Sequence, residues 1–173
     1  TKKPNYFDGT DWKNYDGTSA ASPPTDADGN VYTPVVIGTQ TWMVENLKST
    51  KYRNGDIIGT TIPANMDISL ESTPKYQWPY DGNEAYVADY GRLYTWYAIT
   101  DSRNVCPSGW HVPNDNEWTV LAEFLEGANV AGGKLKETGV SHWNPPNTGA
   151  SNESGFTALP GGYRAHDGVF YGQ

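Results

Sequence analysis

Rings set in loops are the residues of this 173-residue chain best equipped for recognition chemistry. Trp78, Tyr80, Tyr86, Trp143, Tyr163 and Tyr171 stand in loops or at loop edges, where a ring can stack on a sugar face or anchor a protein contact. The competing role is to fill the core of a fold with few aliphatic residues, and it is the role expected of Trp42, Trp96, Trp110 and Trp118.

Catalytic chemistry is less well supplied. Asp26, Asp28 and Asn30 have the alternate spacing of a calcium loop, but Thr33 and Val35 to Ile37 follow where the distal bidentate Glu belongs, so the stretch reads as an Asp-Gly turn. His111, His142 and His166 have no second ligand at helical metal spacing, so neither a metal nor a cofactor is expected. Cys106 has His111 nearby in sequence, yet Pro107 to Gly109 turn the chain between them, which favours a structural thiol over a nucleophile. As the single Cys, it is either a buried thiol or half of a bridge whose partner is missing from this chain. Asp56, Asp67, Asp81, Glu84 and Asp89 fall in an irregular stretch whose spacing defines no glycosidase-type pair. The reading is therefore of a protein that is not an enzyme.

Composition narrows the partners. A net charge of −8 without a basic stripe argues against nucleic acid and an anionic membrane. No apolar run is long enough to span a bilayer, and Thr1-Lys2-Lys3-Pro4 looks like a mature or trimmed start. Nineteen Gly and twelve Pro predict many turns and short helices within one domain.

The elements that must position these groups follow in order. Residues 1–25 read as a polar N-terminal extension or linker, in which Asn5-Tyr6-Phe7-Asp8-Gly9 is echoed by Asn14-Tyr15-Asp16-Gly17. Val31 to Ile37 and Thr41 to Leu47 read as paired strands about Gly38-Thr39-Gln40. Residues 48–89 are irregular, with one short strand through Tyr76, Trp78 and Tyr80. The spacing of Leu93, Trp96, Tyr97 and Thr100 favours a helix within Tyr90–Ile99. Pro107 to Gly109 make a turn, Trp110 to Val112 a short strand, and Asn114 with Glu117 an Asn capping box. The helix it opens carries Trp118, Val120, Leu121, Ala122, Phe124 and Leu125 over about half its circumference, which suits the central core element. A further helix over Asn129 to Thr138, broken at Gly132-Gly133, and strands at Phe156–Pro160 and Gly168–Gln173 complete the chain.

Several of these pieces form a recognisable series. Asp28-Gly29-Asn30-Val31-Tyr32, Gln40-Thr41-Trp42-Met43 and Glu45-Asn46-Leu47 come first. Tyr90-Gly91-Arg92-Leu93-Tyr94 and Cys106-Pro107-Ser108-Gly109-Trp110-His111-Val112-Pro113 with Glu117-Trp118 follow. Gly133-Lys134-Leu135-Lys136 and Gly155-Phe156-Thr157-Ala158-Leu159-Pro160-Gly161-Gly162-Tyr163-Arg164 close it. In this order they resemble the Fibrobacter succinogenes major paralogous domain of secreted and surface proteins in Fibrobacter and Bacteroidetes-type bacteria, which is similar in turn to the C-type-lectin-like fold of formylglycine-generating enzymes.

The resemblance implies an α+β, C-type-lectin-like fold for residues 26–173: short twisted antiparallel sheets, two or three short helices and long irregular loops. It implies an extracellular or cell-surface module, often part of a lipoprotein or multidomain protein, with no established chemistry. The family pattern runs on past Gln173 to a second Cys, which would make the domain truncated at its C-terminus and Cys106 half of a bridge. If ligands bind as in C-type-lectin-like folds, the loops between Trp143 and Arg164 are the place, with Asn147, Arg164 and Asp167 as polar partners. The expected ligand-binding set is thus Trp143, Asn147, Tyr163, Arg164, Asp167, Trp78 and Tyr80, and the ligand a glycan or a protein. Two alternatives remain: a structural subunit of a surface assembly or filament, completed by another copy or a different chain at its C-terminal edge, and an enzyme related to sulfatase-modifying proteins. The latter's copper-binding active-site cysteines are not supplied by one Cys.

Overall fold

The computed structural model describes residues 22–172, together with the backbone pairing of β1 (Tyr6–Phe7) with β2 (Trp12–Lys13). The extension expected over residues 1–25 therefore lies mostly outside the described residues, and Gln173 lies outside them too. The architecture is mixed α+β: two-stranded antiparallel sheets, short helices and long connections.

β3 (Pro34–Ile37) and β4 (Gln40–Met43) form the expected hairpin, closed by the Ile37–Gln40 pair. The second strand stops short of Leu47 because side chains take over from the ladder. The Glu45 carboxylate accepts from Thr33 N at 2.7 Å and Thr33 Oγ1 at 2.8 Å, and Asn46 Nδ2 donates to Tyr90 O at 3.0 Å.

β5 (Gln77–Pro79) pairs with β6 (Arg92–Tyr94), setting Trp78 opposite Leu93. The expected helix over Tyr90–Ile99 is thus divided: a strand comes first, and only α2 (Trp96–Ile99) is helical. The divider is Gly91, at φ 67°, ψ −148°, which ends the turn α1 (Val87–Tyr90). A Cβ there would stand 2.6 Å from Asn46 Cβ and 2.7 Å from Leu47 O, so the two chain segments meet at a distance only glycine permits.

Trp110 to Val112 form no strand, contrary to the expectation. Arg53 instead ties the start of the segment to the turn before it: its guanidinium donates to Cys106 O at 3.2 Å, Pro107 O at 2.9 Å and Trp110 O at 2.9 Å. α3 (Asp115–Phe124) then opens on the predicted capping box. Asn114 Oδ1 accepts from Glu117 N at 3.1 Å, and the Glu117 carboxylate accepts from Asn114 N at 2.9 Å.

α4 (Ala128–Leu135) passes through Gly132-Gly133 without the expected break. Gly133 serves close approach instead, since a Cβ there would lie 2.3 Å from Gly149 O. Phe156–Pro160 contributes only a parallel bridge between Ala158 and Lys136, and β7 (Tyr163–Arg164) pairs with β8 (Phe170–Tyr171).

Two apolar clusters hold these pieces. Ile37, Trp42, Leu121, Leu125 and Ala131 form one; Tyr52, Ile58, Ala98, Val105 and Cys106 form the other. α3 therefore anchors one cluster and does not serve as the core of the whole domain. It buries Leu121, and Leu125 at its C-cap is buried too, but Trp118 is 44 %, Val120 36 % and Phe124 60 % exposed. Trp96, also expected inside, is 69 % exposed at the start of α2.

Candidate functional site

A cleft of about 710 Å³ opens between β4, the Glu45–Leu47 segment, the Tyr90–Tyr94 stretch and the Trp110–Trp118 motif. That volume falls within the usual span of ligand pockets, roughly 300–1,000 Å³. One wall is aromatic. The Trp42 and Trp118 rings lie 4.7 Å apart at 43°, and Phe156 stands 5.9 Å from Trp42 and 6.4 Å from Trp118. Trp42 is buried, whereas the half-exposed Trp118 offers a ring. Trp110, Tyr90 and Leu93 also line the cleft.

The polar edge is built on Glu117. Its carboxylate closes the capping box and meets His111 Nε2 at 2.7 Å. The Asn114 N–H first, and the His111 contact second, hold the Glu117 carboxyl below the usual range, so it stays charged and is a weak proton acceptor. Gln40 Nε2 reaches across to Glu117 O at 3.0 Å. Two buried polar atoms in this wall, Gln40 Oε1 and Trp42 Nε1, have no partner among the described residues.

Other groups at the cleft are committed elsewhere. Arg92 donates to Lys48 O at 3.1 Å and Gln77 Oε1 at 2.9 Å, and pairs with Glu84. Burial pushes the Cys106 thiol up to about 11, with Arg53 pulling weakly the other way, so it is a poor nucleophile at neutral pH. No trio of His, Cys, Asp or Glu among the described residues is placed to hold a metal.

The Asp-Gly turn is as expected, and its acceptors are taken by the chain. Asp26 accepts from Asp28 N at 3.0 Å, Asn30 N at 2.9 Å and Tyr32 OH at 2.6 Å. Asp28 accepts from Thr50 N and pairs with Lys51 at 3.1 Å, tying the turn to residues 50–51.

None of the seven residues expected from the sequence lines this cleft. Three of them, Trp78, Tyr163 and Arg164, border a smaller hollow of about 350 Å³. Trp78 is not an exposed loop ring: it is 2 % exposed, donates to Thr61 Oγ1 at 2.9 Å and has the Arg164 guanidinium 4.0 Å above it. That guanidinium donates to Ala64 O and Ala165 O at 3.0 Å and to Met66 O, so its donors are occupied by backbone.

Tyr163 and Tyr171 stack at 5.2 Å and 23°, 57 % and 43 % exposed. Tyr80 packs against Phe170 at 5.5 Å, and Asp167 accepts from Val169 N at 3.0 Å. Trp143 is half-buried and donates to Ala158 O at 3.0 Å. Asn147 donates to Glu137 O at 2.9 Å and Gly139 O at 2.7 Å.

Gln40, Trp42, Trp110, His111, Glu117 and Trp118 are the cleft residues that sequence reasoning left out of the binding set. One signal was available. Gln40 and Trp42 alternate on a strand and so face one way, and Trp118 follows the cap closely enough to sit near the helix start.

The family model described as Fibrobacter succinogenes major domain matches residues 35–173. No curated protein and no solved structure was found to match the chain.

Proposed function

The chain belongs to the Fibrobacter succinogenes major domain family, and from that premise we propose that it is a non-catalytic binding or adhesion module displayed outside a bacterial cytoplasm. Its α+β elements are proposed to form a C-type-lectin-like arrangement. The Trp42–Trp118 cleft, not the Trp143–Arg164 loops, holds the ligand, a glycan or a protein segment.

The observation that carries this reading is the Trp118 ring. It is 44 % exposed, lies 4.7 Å from the buried Trp42 ring and borders the larger cavity, whereas the exposed Val120 and Phe124 of the same helix do not line it. Aromatic rings in such positions dominate recognition energetics. The non-catalytic half rests on the commitments of the polar groups: Glu117 is tied to the cap and His111, Arg92 to backbone and Glu84, and the Cys106 thiol is raised.

The test is a fragment screen by NMR with indole-¹⁵N-labelled protein, using cyclic alcohols, methyl glycosides and short aromatic peptides as probes. Hits are expected to shift the Trp118 and Trp42 signals, to weaken in Trp118→Ala and to persist in Tyr163→Ala. Hits that survive Trp118→Ala and vanish in Tyr163→Ala would return the site to the loops. Recovery of chemically altered probes would overturn the non-catalytic reading.

A second reading, a structural subunit of a surface assembly, is supported by exposed apolar side chains away from the cleft: Ile57 at 76 %, Ile62 at 86 % and Leu70 at 99 %. Sedimentation that shows concentration-dependent growth, abolished by Ile62→Glu with Leu70→Glu, would favour it. A single monomeric species across the range would count against it.

A further inference from the structure

We propose that the occupant of the Trp42–Trp118 cleft is an extended segment of a partner protein, which adds as a strand to the free edge of β4 and brings a basic side chain to the cleft's carboxylates. This rests on the cleft being the binding site; it names the class of partner and the way it is held.

The first argument is the hydrogen-bond phase of the β3–β4 hairpin. Val44 N donates to Thr33 O at 2.9 Å, one step beyond the Pro34–Met43 pair. Bonded and non-bonded pairs alternate along an antiparallel ladder. Val35–Trp42 and Ile37–Gln40 are therefore the bonded pairs, and Thr41 and Met43 turn their N–H and C=O groups away from β3. Among the described residues β4 has no strand on that side, and these backbone groups have no hydrogen-bond partner. Both residues line the cleft, and Thr41 is exposed.

The other strand at the cleft is half-paired in the same way. Thr95 N donates to Tyr76 O at 3.0 Å, so by the same alternation Leu93 is bonded to Trp78, while Arg92 and Tyr94 face away from β5. Arg92 N donates to Leu47 O at 2.9 Å, which ties the chain after β4 to β6. The N–H of Tyr94 and the C=O groups of Arg92 and Tyr94 have no partner among the described residues. A cleft bordered by two such edges presents rows of backbone donors and acceptors, and the complement of such a row is another backbone in extended conformation. A small ring, sugar or apolar, offers no matching row.

Side chains set the rest. Neighbouring strands lie about 4.8 Å apart, so alternate side chains of an added strand stand beside Trp42, on the face where the half-exposed Trp118 ring lies 4.7 Å from it. Those positions suit apolar residues. The charge at the cleft is one-sided. Glu45 accepts from Thr33, and Glu117 meets the Asn114 cap and His111, but neither has a Lys or Arg partner among the described residues. Arg92, which also lines the cleft, is held by Glu84. A basic residue among the polar positions of the segment complements this lining.

The probes are the acetylated, amidated heptapeptide Thr-Val-Lys-Val-Thr-Val-Thr and its forms with Leu or Tyr in place of Val, titrated to ~5 mM against the intact chain. At least one is expected to shift the Trp118 indole signal and, at saturation, to slow hydrogen exchange at the Thr41 and Met43 amides roughly tenfold or more. Methylating the peptide's backbone nitrogens should abolish binding. Replacing its Lys by Glu should weaken binding several-fold. Thr41→Pro, which removes an edge donor and no ladder bond, should do the same. If Thr41→Pro fails to fold, the methylated peptide carries the test.

Several results would overturn the assignment. If a peptide shifts Trp118 while Thr41 and Met43 exchange as before, or if the methylated peptide binds equally well, strand addition is wrong and the cleft reading stands. If methyl glycosides shift Trp118 and no peptide does, the partner class is wrong. If neither shifts it, the cleft reading itself fails. Equal affinity for the Lys and Glu peptides would remove the basic residue from the proposal. Concentration-dependent self-association that the peptide displaces would make the occupant a second copy of this chain and not a different protein.

Discussion

Gly91→Ala is expected to be among the most costly single-methyl additions in the chain, and its cost can be worked from two separable sources. Gly91 sits at φ 67°, ψ −148°, outside the regions open to L-residues. Holding alanine in such a conformation costs of order 1–3 kcal/mol. The added Cβ also meets Asn46 Cβ at 2.6 Å and Leu47 O at 2.7 Å, neither of which is the end of a flexible side chain. Relieving that overlap means moving backbone, worth about another 1–3 kcal/mol. The sum is about 2–6 kcal/mol, or a Tm drop of about 4–24 °C at the 2–4 °C per kcal/mol typical of domains this size. Gly29→Ala is the control, because Gly29 also has a positive φ, 86°, but nothing within 4 Å of its Cβ position. Urea unfolding followed by Trp fluorescence should place Gly91→Ala about 1–3 kcal/mol below Gly29→Ala, the share due to overlap. Equal losses would refute the claim that the 46–47 and 90–91 segments are held in glycine-only contact at the cleft floor.

Other outcomes follow from the same structure. Asn114→Ala removes one arm of the capping box and should cost about 1 kcal/mol, read as a Tm drop of about 2–4 °C; no change would show that the box does not set the start of α3. Asp101 is held below the usual carboxylate range by the Arg103 guanidinium and then by Lys75. A depressed folded pKa contributes stability above the unfolded value and loses it as pH falls, so Tm should decline from about pH 5 to about pH 2, and Asp101→Asn should flatten that decline. An unchanged slope in Asp101→Asn would remove Asp101 as a source of acid sensitivity. Cys106, buried and with a raised thiol pKa, should resist a thiol reagent at neutral pH until the chain unfolds; rapid labelling of the native protein would contradict its burial.

What the sequence made legible is what local chemistry decides. The Asn114–Glu117 box could be read because both partners lie within one turn, and the Asp26 turn because its acceptors and donors sit within six residues. The hairpin at Gly38 was readable for the same reason, although its second strand was read too long. Glu45 and Asn46 bond to distant Thr33 and Tyr90, and nothing local announces such partners.

The cleft was missed on similar grounds. Periodicity marks Trp118, Phe124 and Leu121 alike as apolar, but only a neighbouring element decides which is covered, and here it covers Leu121 and Leu125 alone. Trp78 shows the converse error: its setting among Pro and Gly suggested an exposed ring, but Thr61 and Arg164 enclose it. The Trp110–Val112 segment alternates like a strand, yet a single distant arginine bonds Trp110 O and the Cys106 and Pro107 carbonyls of the turn before it.

The central claim is that ligands enter at Trp118 and not at the Trp143–Arg164 loops. Its most direct measurement is an indole ¹⁵N spectrum of the seven-Trp chain with and without a bound probe. The account predicts that the Trp118 and Trp42 signals move with a common saturating dependence while Trp143 and Trp78 stay fixed. Movement of Trp143 or Trp78 with Trp118 unchanged would contradict it.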